Sequence, residues 1–227
     1  MLYAYVFQVR LIEKKGNLIR SHETEQVRRS NTYVSDRIRA RATESGAWKL
    51  PDGYEYYFDE PLASAMVQHF WDEKKTWGRP NVLEFGSGTG KYINYFRANR
   101  IKARGYDGVS DIYKRSSGVV NYADLTERLS LRSADFVVCL EVAEHIPKIY
   151  EDIFLTNILE HCTQSLILSW APPTQGGVGH VNMKERADVI ELLSSKGFGI
   201  NKGATSLLIN AATLPWFKQN ILVFEKK

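Results

Sequence analysis

From residue 80 onward the chain alternates short apolar runs with longer amphipathic stretches. The runs Val82–Phe85, Lys102–Asp107, Gly118–Tyr122, Ala134–Leu140 and Ser165–Trp170 are of strand length, and most are dense in β-branched or aromatic residues. Between them, Tyr92–Asn99, Pro147–His161 and Lys184–Lys196 read as helices, the last closed by Gly197 at a fitting left-handed cap. Ile200–Leu207 and Asn220–Glu225 read as two further strands joined by a loop that contains Pro215 and Trp216. Strands that alternate with helices in this way predict an α/β fold, a mostly parallel sheet with helices on both faces. Arg79-Pro80 marks a turn, which divides the chain into an N-terminal extension (1–79) and a core (80–227). In the extension, Glu23–Ala42 reads as a basic helix, followed by Gly46–Gly53 and the aromatic cluster Tyr54, Tyr56, Tyr57 and Phe58. Pro61 then starts a helix that carries Leu62, Ala65, Met66, His69 and Phe70 at spacings of three and four.

The first core strand runs straight into Glu84-Phe85-Gly86-Ser87-Gly88-Thr89-Gly90. A backbone that leaves a buried strand and enters a helix within five residues needs positions without Cβ, both to turn and to let a ligand approach the main chain. The spacing departs from the dinucleotide fingerprint G-x-G-x-x-G. It departs from the P-loop as well, because Tyr92 stands where a magnesium-binding hydroxyl belongs. It resembles motif I of the class I S-adenosylmethionine-dependent methyltransferases. That resemblance implies a Rossmann-like, seven-stranded, mostly parallel sheet whose final two strands form an antiparallel edge hairpin. It implies S-adenosylmethionine as cofactor, with Gly86, Ser87, Gly88 and Gly90 against its methionine part and Glu84 ordering the loop and the cofactor's ammonium. Asp107, with Gly108, ends the second strand where Rossmann-like folds hold ribose hydroxyls. Asp124, with Leu125, falls at the adenine position, and Glu141 ends the fourth strand. All these positions converge on the carboxyl edge of one sheet, where open α/β sheets bind ligands.

Methyl transfer from a sulfonium is a one-step displacement that needs alignment and, for a hydroxyl or protonated amine, a base. On the cofactor's edge of the sheet the candidates are His145, in Glu144-His145-Ile146-Pro147, and His180, in a loop with Gly176, Gly177 and Gly179 able to close as a lid. Each histidine has an alternative reading as a residue that caps or organises its own turn. Glu141, Glu144, His145 and His180 also resemble the ligand set of metal-dependent O-methyltransferases, including those that act on ubiquinone precursors and on the terminal 2′-hydroxyl of small RNAs. The resemblance leaves a divalent metal open, because the same tetrapeptide occurs in metal-free relatives. His22, His69 and His161 have no partners in sequence and read as structural or exposed. Tyr54, Tyr56, Tyr57, Phe58, Trp170 and Trp216 suit an acceptor pocket or plain core. Arg28, Arg29, Arg37, Arg39 and Arg41 alternate with acids, as on a solvated helix face.

Composition bounds these readings without changing them. The 227 residues are 44% hydrophobic and 25% charged, ordinary values for one globular domain with an appendage. A net charge of +4 is too small to argue nucleic-acid binding by itself. Cys139 and Cys162 give no disulfide framework, the apolar Met1–Val9 lacks a cleavage pattern, and no run reaches membrane-spanning length. The expectation is a cytoplasmic enzyme, monomer or homodimer, that methylates oxygen or nitrogen of a small molecule. The alternatives are a metal-assisted O-methyltransferase, an RNA or protein methyltransferase, and a non-catalytic cofactor-binding subunit.

Overall fold

Fourteen helices and strands build the fold, in a computed structural model that describes residues 43–227 apart from 52, 53, 55 and 76. The expected Glu23–Ala42 helix, its arginines and His22 lie outside the described residues. Helix α1 (Glu60–Asp72) precedes β1 (Asn81–Phe85), α2 (Lys91–Ala98), β2 (Lys102–Asp107), α3 (Ile112–Arg115) and β3 (Val120–Tyr122). After β4 (Ala134–Cys139) come two single 3-10 turns, Ala143–His145 and Lys148–Tyr150, then α4 (Glu151–Glu160) and β5 (Cys162–Ser169). The chain ends with α5 (Arg186–Ser195), β6 (Phe198–Ile200), α6 (Lys202–Ala211), α7 (Pro215–Asn220) and β7 (Ile221–Lys226).

The sheet order is β3-β2-β1-β4-β5-β7-β6, parallel except for β7, which runs antiparallel to both β5 and β6. The Rossmann-like, seven-stranded expectation holds, with its antiparallel final pair. In β1, Val82, Leu83, Glu84 and Phe85 are all buried, as befits a central strand covered on both faces. One face packs on α1, α2 and α6 through Met66, Phe70, Phe96 and Leu208, and the other on α4 and α5 through Phe154, Ile158 and Leu193. Among the described residues no helix is long and apolar enough to cross a membrane.

Two expectations for the C-terminal region are corrected. Only Ile200 of Ile200–Leu207 lies in a strand, because β6 starts earlier, at Phe198, and residues 202–211 form α6. Asn201 is the reason: its side chain accepts from the Ala204 amide at 2.8 Å and caps a helix whose Ala204 and Leu208 share the buried face. The loop expected around Pro215 holds the short helix α7, with proline in its first turn, so β7 begins at Ile221 rather than Asn220.

Asp59 ties the start of α1 to the far end of the chain. One carboxylate oxygen accepts from the Leu62 amide at 3.2 Å, and the other from the Thr213 and Leu214 amides at 2.7 and 2.8 Å. His69 and His161 are structural, as expected: His69 meets Ser165 at 3.2 Å, and His161 bridges the Asn157 carbonyl and the Leu131 amide. Cys139 and Cys162 are free and buried. Phe70 has no exposed surface and packs against the rings of Phe96 and Phe136 at 5.3 and 4.9 Å. Phe70→Ala is expected to cost about 3–5 kcal/mol in urea denaturation, the range for emptying a tight aromatic site; a loss below about 1 kcal/mol contradicts this packing.

Candidate active site

The glycine loop leaves β1 while bonded to β2. The Gly86 and Ser87 amides both donate to the Tyr106 carbonyl, at 2.8 and 3.1 Å. Gly86 has φ of 74°, and a Cβ there would lie 2.1 Å from the Val142 side chain. Gly88 has φ of 52°, and a Cβ there would meet the Tyr56 ring at 2.8 Å. Both positions need glycine for conformation and for space. Asp107 holds the arrangement: it accepts from the Gly88 amide at 2.8 Å with one oxygen and from the Val109 amide at 3.0 Å with the other. Burial pushes its carboxyl above the ordinary range, against the pull of those two amides.

A cleft opens beside this loop, bordered by Gly86, Asp107, Gly108, Asp124, Leu125 and Glu141, all expected from the sequence. Asp124 accepts from the Thr126 amide and hydroxyl through one oxygen, which orients the carboxylate and leaves its other oxygen for a ligand. Glu84, in β1, and Ser87, Gly88 and Gly90, in the turn, do not border the cleft. Glu84 is buried, one of its carboxyl oxygens has no hydrogen-bond partner, and burial lifts its pKa from 4.5 to about 8. Of the described residues that line the cleft, none is Lys or Arg.

Sequence reasoning missed most of the opposite wall. Tyr56 lines the cleft together with Ser45, Gly46, Ala47 and Trp48, on a strap of chain ahead of α1. Arg115 pins it by donating to the Leu50 and Pro51 carbonyls at 3.0 and 2.9 Å, while Asp111 holds the guanidinium at 2.7 Å. The single signal in the sequence was small residues flanking a tryptophan. Of the other aromatics, Tyr57 is mostly exposed and meets Trp216, Phe58 packs on Tyr92 and Tyr95, and Trp170 is buried.

At the β4 and β5 ends the structure brings together His145, His180 and Glu144. The His145 Nδ1 lies 3.0 Å from the Gly179 carbonyl, which can only accept, so Nδ1 carries the proton and Nε2 keeps its lone pair. His180 Nδ1 likewise faces the Gln175 carbonyl at 3.2 Å. The two rings stand edge to face 5.0 Å apart, with Trp48 5.2 Å from His145 on the other side. Burial, helped by His180, lowers the His145 pKa to about 4, so the ring is neutral at physiological pH. Glu144 is fully buried with both carboxyl oxygens unpartnered, and burial beside Glu141 raises its pKa well above the ordinary value. Ligand atoms of Glu144, His145 and His180 lie within 4.8 Å of one another.

Glu141 lies beside Glu144 but is held by other partners. Its backbone is left-handed, with φ of 54°, a strained conformation for a residue with a side chain. Its carboxylate accepts from Ser169, Gln175 and Asn220 at 2.7–2.8 Å, and its own amide donates to Ser169 Oγ at 2.7 Å.

Residues 34–167, more than half of the chain, match the family described as methyltransferase domain. The chain belongs to this family. With the strand order above, the expectation of a class I S-adenosylmethionine-dependent methyltransferase is borne out. Solved structures agree on the fold of this methyltransferase. The magnesium protoporphyrin IX methyltransferase of Synechocystis PCC 6803, with S-adenosylhomocysteine bound, is 17% identical at a TM-score of 0.56, over 78% of this chain and 90% of that one. An amino pentose methyltransferase from Micromonospora echinaspora, with S-adenosylmethionine bound, is 13% identical at 0.58, over 78% of this chain and 100% of that one. The small RNA methyltransferase HEN1 is 16% identical at 0.53, covering 79% of this chain and 27% of that one. No curated protein sequence matches.

Asp107→Ala is expected to weaken S-adenosylmethionine binding by about 10- to 150-fold in calorimetry, the worth of one charge-assisted hydrogen bond. Affinity within twofold of the parent, with circular dichroism unchanged, removes Asp107 from the cofactor site. Glu84 predicts a pH dependence. The folded protein keeps a proton that the unfolded chain has lost between pH 4.5 and about 8, so stability falls as pH rises through that window. Urea midpoints at pH 5 and pH 8 are expected to lie closer together in Glu84→Gln; an undiminished gap clears Glu84 as a cause.

Proposed function

We propose that this methyltransferase carries the methyl group of S-adenosylmethionine to an oxygen or nitrogen of a small-molecule acceptor, with His145 and His180 facing the reacting atoms. The observation that carries this reading is the tautomer-fixed imidazole of His145 in the wall of the cleft that also holds Asp107 and Asp124, paired with the His180 ring 5.0 Å away. The donor supplies a methyl carbon on positively charged sulfur: the acceptor's lone pair forms the new bond, the carbon–sulfur bond breaks, and its electron pair stays on sulfur. The chain's residues do the rest. Asp107 orients ribose hydroxyls, Asp124 accepts from the adenine amine, and Glu84, buried in β1, backs the glycine loop. Nε2 of His145 or His180 takes the proton that the acceptor loses, and a base in this position contributes about 10²–10⁴-fold. A silent subunit has no use for such a pair, which disfavours a purely non-catalytic role. Buried free thiols fit the cytoplasm as the place of action.

A second reading is favoured by the unpartnered Glu144 carboxyl beside two imidazoles. Glu144, His145 and His180 suit a divalent cation, which would acidify a coordinated hydroxyl. Glu141, the fourth residue of the expected set, is engaged by Ser169, Gln175 and Asn220 instead.

Incubation with methyl-labelled S-adenosylmethionine and separated metabolite, RNA and protein fractions tests the acceptor class. Label is expected in small molecules; label confined to RNA or protein overturns the proposal. His145→Ala or His180→Ala is expected to lower turnover about 10²-fold or more. In a titration of the parent with Mn²⁺, tight binding that is lost in His180→Ala marks the metal reading, and no binding removes it.

A further inference from the structure

Both reaction-side imidazoles hang on one loop, the segment between β5 and α5. His145 donates to the carbonyl of Gly179, and His180 to that of Gln175. Whatever holds this loop therefore aims both rings. Its first half is fixed through Gln175, whose amide reaches Glu141 and Asn220. Its second half is bonded to the His145 turn, because the Val181 and Asn182 amides both donate to the Glu144 carbonyl, at 2.9 and 3.0 Å. Asn182 also accepts from the Trp170 indole, and the Lys184 amide donates to Ala171. Behind this half stands Glu151, a buried carboxylate in the first turn of α4 that does not border the cleft.

One Glu151 oxygen accepts from Asn182 Nδ2 at 2.9 Å and meets Lys184 Nζ at 3.0 Å, while the other takes Lys148 Nζ at 2.6 Å. Not all of these contacts carry weight. The Lys148 side chain is 66% exposed, and an ion pair so open to water is worth about 0–1 kcal/mol. Lys184 is 15% exposed and lies over the Trp170 ring, and Asn182 is buried, so these two make the latch. Burial pushes the Glu151 carboxyl up, but hydrogen bonds from Lys148, Asn182 and Lys184 outweigh it and hold the group charged. An acid in a helix's first turn ordinarily serves its own helix. This one has its recorded bonds directed to side chains of Lys148 and of the loop.

We propose that Glu151 is a positioning residue, a latch that clamps Asn182 and Lys184 and thereby fixes the loop on which His145 and His180 depend. The inference rests on the reading of those histidines as reaction-side groups.

Hydrogen exchange on the full chain tests the latch. In Glu151→Ala, amides of residues 175–182 are expected to exchange about tenfold faster, while α4 and β5 keep their protection within about twofold. Calorimetric S-adenosylmethionine affinity stays within threefold, and the His180 ring resonances, assigned with His180→Gln, move. Glu151→Gln, which still accepts from Asn182, recovers part of the protection. Should Glu151→Ala not fold, Lys184→Met carries the same test with one arm removed. Unchanged exchange at 175–182, or losses spread equally through α4 and β5, overturns the latch. Turnover on the labelled small-molecule fraction is expected to fall about tenfold in kcat; a loosened loop with unaltered kcat overturns the positioning role. Failure of the functional reading shows separately, as a parent enzyme that labels no small molecule.

Discussion

Two backbone amides, each on its own oxygen of one buried carboxylate, fix the glycine loop beside the cleft. Asp107 ends β2 and accepts from Gly88 on one side and Val109 on the other. Without that anion, Gly88 loses the acceptor of its amide and the loop keeps the Tyr106 carbonyl and the local bonds of Ser87, while left-handed glycines gain most from unfolding. Burying the charge is costly, as the raised pKa shows, and the two amide bonds offset part of that cost. A ribose that added hydroxyl donors to the same oxygens would strengthen the anion further. The group that shapes the free cleft is therefore also the one that gains from filling it.

The charge pattern around the cleft selects in the same direction. Asp107, Asp124 and Glu141 face it, and no described lining residue is cationic. A sulfonium donor with an ammonium on the same molecule relieves that imbalance, whereas a pyrophosphate would aggravate it. The imidazoles fit this economy, since His145 is kept neutral by burial and adds no positive charge until it accepts a proton.

The acidic side of the cleft was legible in sequence because its residues stand at or just past the carboxyl ends of strands in a parallel sheet. Asp107 ends β2, while Asp124 and Glu141 come two residues after β3 and β4, strands whose register the sheet leaves little freedom to change. Ile200–Leu207 misled for a local reason: its apolar residues suit a strand, and only the Asn201 cap, realised once the chain turns, makes residues 202–211 a helix. The strap was illegible for a tertiary one. Its place depends on Arg115 reaching the Leu50 and Pro51 carbonyls, sixty-five and sixty-four residues away, and those contacts are to backbone, which leaves no side-chain pattern to read. The pairing of His145 with Gly179 is hidden in the same way.

Glu141 shows how strain and polar contacts combine where these halves meet. A left-handed backbone at a residue with a side chain costs on the order of 1–3 kcal/mol. Here the Ser169 hydroxyl binds both the Glu141 amide and its carboxylate, so one side chain fixes backbone and acid together. Asn220, at the end of α7, and Gln175, on the loop after β5, both donate to the carboxylate, and Asn220 also donates to the Gln175 side-chain carbonyl oxygen. Glu141 thereby joins the end of β4 to both segments that could carry acceptor-side groups. A motion of either segment must break a charge-assisted bond at the strand end, so the cofactor cleft and the histidine-bearing loop are mechanically one unit.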